Sequence, residues 1–222
     1  MNQPFARVEG LALPLPNANV DTDTIIRIEH LIDSEHAQLH VHAFEALRYR
    51  PDGSPDPACP FNNEAYRDAP VLVAGRNFGC GSSREHAVWA LQALGLRCVI
   101  AESFGDIFAS NCLQNGLLPI CLPASEIEGL LDAAARRERF VVDLERRCIT
   151  TREHRVGFRI DEWRRQRLLS GLGDIEHTLT VADEIEQWQR ADRTRRPWVW
   201  ADLAKRATAL IASTSDQNTI KK

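Results

Sequence analysis

The stretch Gly75-Arg76-Asn77-Phe78-Gly79-Cys80-Gly81-Ser82-Ser83-Arg84 gathers the side chains of this 222-residue chain best suited to chemistry. Gly75, Gly79 and Gly81 let the backbone bend tightly and approach a second molecule closely. Ser82, Ser83 and Arg84 follow at the expected start of a helix, where unpaired N–H groups and the positive end of the macrodipole favour an anion. A carboxylate or phosphate is the natural guest. Arg84 can hold a carboxylate through a planar two-point contact that lysine cannot reproduce. The same pattern also serves as plain strand-to-helix punctuation. It is neither a P-loop, which needs GxxxxGK before Ser or Thr, nor a GxGxxG dinucleotide loop. The GxSxG elbow is missing as well, which argues against a stand-alone hydrolase acting through Ser82 or Cys80.

The elements around this stretch follow from local pattern. Residues 7–15 predict one short strand ending in a Pro-rich turn, and Asn19–Ile26 a polar loop running into an apolar pair. Residues 33–49 have helical character, and residues 51–70, with five prolines, predict a long irregular loop. Val71–Ala74 reads as a buried strand, with the Ser82-Ser83 pair capping a helix over 84–94 that Gly95 stops. A strand over 97–101 follows, then a helix from a Ser103 cap to Asn115, and a strand over 117–122 in which Pro119 marks an edge or bulge. A capping box at Ser125-Glu126-Ile127-Glu128 opens a helix to Arg137. This strand–helix alternation predicts parallel pairing in an α/β unit. Strands over 140–144, 147–151 and 155–160 read as antiparallel. Asp161 caps a helix through Leu169, and a last helix spans 180–190. The Arg193–Arg196 cluster reads as solvated surface, and residues 209–222 as frayed.

Net charge is −4, from 27 Lys+Arg against 31 Asp+Glu, which disfavours a nucleic-acid partner. No apolar run reaches the ~20 residues of a membrane span, and the N-terminus lacks a secretory pattern, so a cytoplasmic protein is expected. The six cysteines form no CxxC pair, and Cys98, Cys112 and Cys121 lie in apolar segments. His36 and His40 have the i,i+4 spacing of a metal pair, but no nearby carboxylate or cysteine completes a motif. A solvated helix face is the simpler reading, and no metal ligand is expected in this chain.

The block Arg76–Ala87 with Trp89-Ala90-Leu91 resembles the signature of the 3-isopropylmalate dehydratase small-subunit family, within the aconitase superfamily. The resemblance extends to Asn19–Ile26, Ser103–Phe108, Asn111, Leu117-Leu118-Pro119, Ile160-Asp161 and Gly171-Leu172, and covers residues 5–190. It implies an α/β fold, the swivelling β/β/α domain of the aconitase C-terminal type, with a mixed sheet and flanking helices. It also implies a heterodimeric hydro-lyase that interconverts 2- and 3-isopropylmalate by dehydration and rehydration, in leucine biosynthesis. The Lewis acid would be a 4Fe–4S cluster carried by the large partner subunit, with no cofactor bound by this chain. By the same resemblance Ser82 is the base, working as an alkoxide. Ser83 and Arg84 bind a carboxylate of a small hydroxy-dicarboxylate substrate, and Asp23 lies near the site. Gly79, Cys80 and Gly81 shape the loop, while Glu85 and His86 brace it.

The family's glycine-containing stretch after the first Ile-Ile is replaced here by residues 27–36, and the proline after Ile26 by Arg27. If that stretch normally pairs a second carboxylate, Arg27 is placed in sequence to substitute. The departure keeps 2-methylmalate/citraconate and homoaconitate open as substrates, as well as a non-catalytic dicarboxylate-binding module. The expected domain spans 1–196, with a tail over 197–222.

Overall fold

The computed structural model describes residues 3–30 and 38–200. The chain divides into two compact units, residues 1–173 and 174–222.

In the first unit, strands β2 (Ala12–Leu15), β3 (Val71–Ala74), β4 (Cys98–Ala101) and β5 (Leu118–Cys121) form a parallel sheet in the order β2-β3-β4-β5. Every residue of β3 and β4 is buried, as both faces of a central parallel strand must be. Pro14 and Pro119 stand on the two edge strands, where a missing N–H does least harm. Strands β1 (Arg7–Gly10), β6 (Phe140–Asp143), β7 (Cys148–Thr150) and β8 (Arg155–Gly157) form a separate antiparallel sheet, in the order β1-β6-β7-β8. The expected parallel and antiparallel strands are thus both present, segregated into two sheets.

The alternation of side chains along β3 feeds two cores. Leu72 and Ala74 face a core shared with α1 (Thr22–Ile25), α2 (Leu39–His42), α4 (His86–Ala93) and α5 (Asp106–Gln114). Val71 and Val73 face the other, filled by α6 (Ala124–Ala135), the inner side of the antiparallel sheet and Leu168 of α7 (Glu162–Ser170). Fully burying one such Val, Leu or Phe contributes about 1.5–3 kcal/mol.

Several expectations need correction. The single strand over 7–15 is two strands in different sheets. Glu9 pairs with Val141 and Leu13 with Leu72, and the chain passes between the sheets beside Pro70, only 2.5 Å from where a Cβ on Gly10 would stand. The polar loop at 19–26 holds the helical turn α1, capped by the Asp21 carboxylate on the Thr24 N–H. Of the stretch with helical character over 33–49, residues 33–37 lie outside the described residues, and the rest holds two single turns, α2 and α3 (Glu45–Arg48), with Phe44 at φ +56° between them. The capping box at 125–128 does not form, since α6 starts at Ala124 behind Pro123 with no side-chain cap. The Asp161 cap and the Gly171 stop at φ +68° form as expected.

In the second unit, the helix expected over 180–190 forms as α9 (Ala182–Arg195), and a further short helix, α8 (Asp174–Leu179), precedes it. Arg195 and Arg196 are not merely solvated. They pair at 3.0 and 2.8 Å with Asp192, a buried carboxylate that Arg196 holds far below the usual range.

Candidate active site

Backbone hydrogen bonds hold the glycine loop between two other segments. Gly75 donates to the Leu15 carbonyl at 3.1 Å, Asn19 to Arg76 at 2.9 Å, Gly79 to Val20 at 2.7 Å, and Thr22 to Cys80 at 3.0 Å. On the other side Phe78 donates to the Ser103 carbonyl and Gly105 donates to Phe78, each at 2.9 Å. Asn77, at φ +57°, sends its N–H to Ser103 Oγ and its side-chain amide to Asn19 Oδ1. Gly79 sits at φ +70°, and a Cβ there would stand 2.2 Å from the Phe108 ring. Only glycine fits both the conformation and the space.

These bonds redirect the helix start. The helix expected from residue 84 begins at His86, and neither Ser82 nor Ser83 caps it; Glu85 occupies the N-cap position, but its side chain does not cap the helix. The Ser82 carbonyl is already engaged, accepting from Thr22 Oγ1 at 3.1 Å and from the Arg84 N–H at 2.8 Å. Gly81, at φ +91°, has turned the chain just before it. Ser103 likewise leaves the cap of α5, which starts behind Gly105, because its hydroxyl serves Asn77.

The structure brings Asp23 and Arg84 together. Arg84 Nη2 donates to Asp23 Oδ2 at 2.6 Å, and the arginine side chain is only 17% exposed. Its second terminal nitrogen, Nη1, is buried without a hydrogen-bond partner. Ser82 and Ser83 are exposed beside it, and Cys80 is half-buried. Asp21 is held below the usual carboxylate range by its hydrogen bond from Thr24, with a smaller contribution from Arg84. The arrangement is an anchored cation with one unpaired donor, two residues along the chain from an exposed serine. Arg27 is not part of this group: its exposed guanidinium meets Glu29 at 3.1 Å.

Glu85 and His86 brace the loop through α4. Glu85 Oε1 accepts from Asn115 Nδ2 at 2.7 Å, Asn115 Oδ1 accepts from the Trp89 indole at 3.0 Å, and the His86 ring packs edge-on against Trp89. Asn115 and the buried Thr22 escaped the reading of the sequence as site supports. Thr22 lay inside a singled-out motif, but nothing local shows that its hydroxyl reaches the Ser82 carbonyl.

Among the described residues, no three cysteines converge on one point. Burial pushes the Cys98, Cys112 and Cys59 thiols up, whereas Cys121, expected to be buried like its neighbours in apolar segments, is exposed. Among the described residues, the convergent group of metal-ligating side chains is instead His30, His42 and Glu45. His36 of the expected i,i+4 pair lies outside the described residues. No helix among the described residues is long and apolar enough to cross a membrane.

Residues 2–125 match the family model of the aconitase C-terminal domain. The 3-isopropylmalate dehydratase small subunit of Cereibacter sphaeroides is 47% identical over 200 residues, which cover 89% of this chain and all of that protein. The small subunit from Agrobacterium fabrum is 45% identical over 197 residues, covering 87% and 98%. The crystal structure of 3-isopropylmalate dehydratase from Methanocaldococcus jannaschii superposes with a TM-score of 0.61 at 28% identity, covering 82% of this chain and 99% of that one.

Proposed function

Because the chain belongs to the 3-isopropylmalate dehydratase small subunits, built on the aconitase C-terminal domain, we propose that its 75–87 loop supplies half of a hydro-lyase site. The chain acts with a large subunit, and interconversion of 2- and 3-isopropylmalate places it in leucine biosynthesis. A 4Fe–4S cluster held by that large subunit supplies Lewis acidity for the departing hydroxyl. This chain's residues bind the diacid and move the proton.

Arg84 carries the proposal. Asp23 fixes one end of its guanidinium and leaves Nη1 buried and unpaired, a donor suited to a substrate carboxylate. Ser83 adds a hydroxyl donor. The exposed Ser82 Oγ takes the proton from the carbon next to the carboxylate. The C–H electron pair becomes the new double bond as the C–O bond of the leaving hydroxyl breaks, and rehydration reverses the transfer at the neighbouring carbon. An ordinary serine is far too weak an acid to act this way unaided. Since α4 starts only at His86, the Arg84 charge outweighs the helix dipole in stabilising the alkoxide.

The test is turnover by the full chain co-expressed with its large subunit and reconstituted anaerobically, on isopropylmaleate, citraconate and homoaconitate. Loss of a general base predicts a fall in kcat of roughly 10²–10⁴ for Ser82→Ala, with KM nearly unchanged. Arg84→Lys forfeits a charge-assisted hydrogen bond of about 1.5–3 kcal/mol, raising KM by roughly 10- to 150-fold. Parental kcat in Ser82→Ala removes the base assignment. Failure to turn over any of the three acids with an intact cluster overturns the catalytic reading and favours the dicarboxylate-binding module. Turnover of citraconate or homoaconitate in place of isopropylmaleate transfers the proposal to that substrate.

A further inference from the structure

The strongest chemistry outside the 75–87 loop lies at the corner between α2 and α3. His30 Nε2 is 2.9 Å from Glu45 Oε2, and His42 Nδ1 is 2.9 Å from Glu45 Oε1. The two imidazoles stack face to face, 3.8 Å between centroids with planes 7° apart. One carboxylate thus divides its two oxygens between two aligned ring nitrogens. We propose that His30, His42 and Glu45 bind a divalent transition-metal ion of the zinc type.

Two imidazoles and a carboxylate form a donor set that suits zinc, with a fourth position left to water. Metal–ligand bonds of about 2.0–2.2 Å in a tetrahedron put neighbouring ligand atoms roughly 3.4 Å apart. Here all the donor atoms lie within 4.8 Å of one another and the hydrogen-bonded pairs are at 2.9 Å, so an ion enters as the stacked rings splay to point both nitrogens at it. The three side chains are partly sheltered, yet open enough for an ion to enter.

The corner is built before any ion arrives. The buried Phe44, at φ +56°, turns α2 into α3 so that His42 and Glu45 meet, and its N–H bonds the Ile25 carbonyl at 2.9 Å. Arg48 Nη1 gathers the carbonyls of His40, Val41 and Ala43. A preorganised scaffold of this kind spends little binding energy on ordering itself. An ion here would fasten together residues 30 and 42, which flank most of the stretch that departs from the family pattern.

The full chain, freed of any affinity tag and of metal, is titrated with Zn²⁺ and with Co²⁺, needing neither a partner nor turnover. The expected result is one equivalent per chain. Bound Co²⁺ should give visible d–d absorption without the near-ultraviolet thiolate band, and Cys80→Ser/Cys121→Ser should leave binding unchanged. His30→Gln/His42→Gln should weaken binding by more than about tenfold, since even supporting groups cost that much. Glu45→Gln should do the same and decides the matter if the histidine variant does not fold. Sub-stoichiometric binding, a thiolate band, loss of binding in the cysteine variant, or unchanged affinity in Glu45→Gln would overturn the proposal.

Discussion

Replacing Gly79 by alanine tests whether the active loop is locked by packing. At φ +70° an L side chain pays about 1–2 kcal/mol in the left-handed region. The new Cβ would also stand 2.2, 2.4 and 2.6 Å from three atoms of the Phe108 ring, closer than real contacts allow. Phe108 is 3% exposed, meets the Phe78 ring edge-on at 5.5 Å and lies parallel to Phe104 at 6.3 Å, so it has little room to retreat. Overpacking of this kind costs about 1–3 kcal/mol. The sum, about 2–5 kcal/mol, is a large fraction of a typical stability of 5–15 kcal/mol. Gly53→Ala is the control: φ is +80°, but nothing lies within 4 Å, so only the conformational part remains. Urea unfolding of both variants isolates the ring contribution. Turnover with the large subunit should fall further for Gly79→Ala, because a shifted Gly79 N–H loses Val20 and drags the backbone leading to Ser82. In Gly79→Ala/Phe108→Ala the two costs should be less than additive, since the missing ring frees the space. Equal losses for Gly79→Ala and Gly53→Ala would refute the reasoning.

Asp21→Ala removes the acceptor 2.7 Å from the Thr24 N–H and should cost about 1 kcal/mol in urea unfolding near neutral pH. Because folding lowers the Asp21 pKa, its contribution is present above the unfolded value of about 3.9 and is lost as pH falls through the folded one. The gap between parent and variant should therefore close in acid, and a gap that persists there contradicts the assignment. Asn115→Leu strips partners from the Trp89 indole and from Glu85 at similar volume. It should destabilise by about 2–3 kcal/mol and shift tryptophan emission, whereas a loss under about 0.5 kcal/mol would show that this bridge does not brace α4.

Much of the first unit was legible because its signals are local. Short apolar runs, as at Val71–Ala74 and Cys98–Ala101, announce buried strands, and Asp161 and Gly171 mark the ends of α7 by chemistry within one helical turn. Serine was the recurrent error. Ser82, Ser83 and Ser103 each sit where a cap is expected, yet the Ser82 carbonyl is held by Thr22 and the Ser103 hydroxyl by Asn77. A hydroxyl near a helix start follows its best donor, and that donor came from another segment. Residues 7–15 failed for a related reason: the local pattern shows a strand, but not that its halves pair with Val141 and with Leu72.

Residue type and order alone determined that a flexible loop bearing Ser82 and Arg84 follows a buried strand, and that a polar loop precedes the apolar pair Ile25-Ile26. Only the fold decided that these meet. Backbone bonds from Gly79 to Val20 and from Thr22 to Cys80 lay the two segments side by side, set Arg84 against an aspartate 61 residues away, and leave Arg27 with Glu29. Bringing His30 and His42 onto one carboxylate likewise took the Phe44 corner. Both outcomes depend on which distant groups complete each other's hydrogen bonds and fill each other's space, information that no single stretch of chain contains.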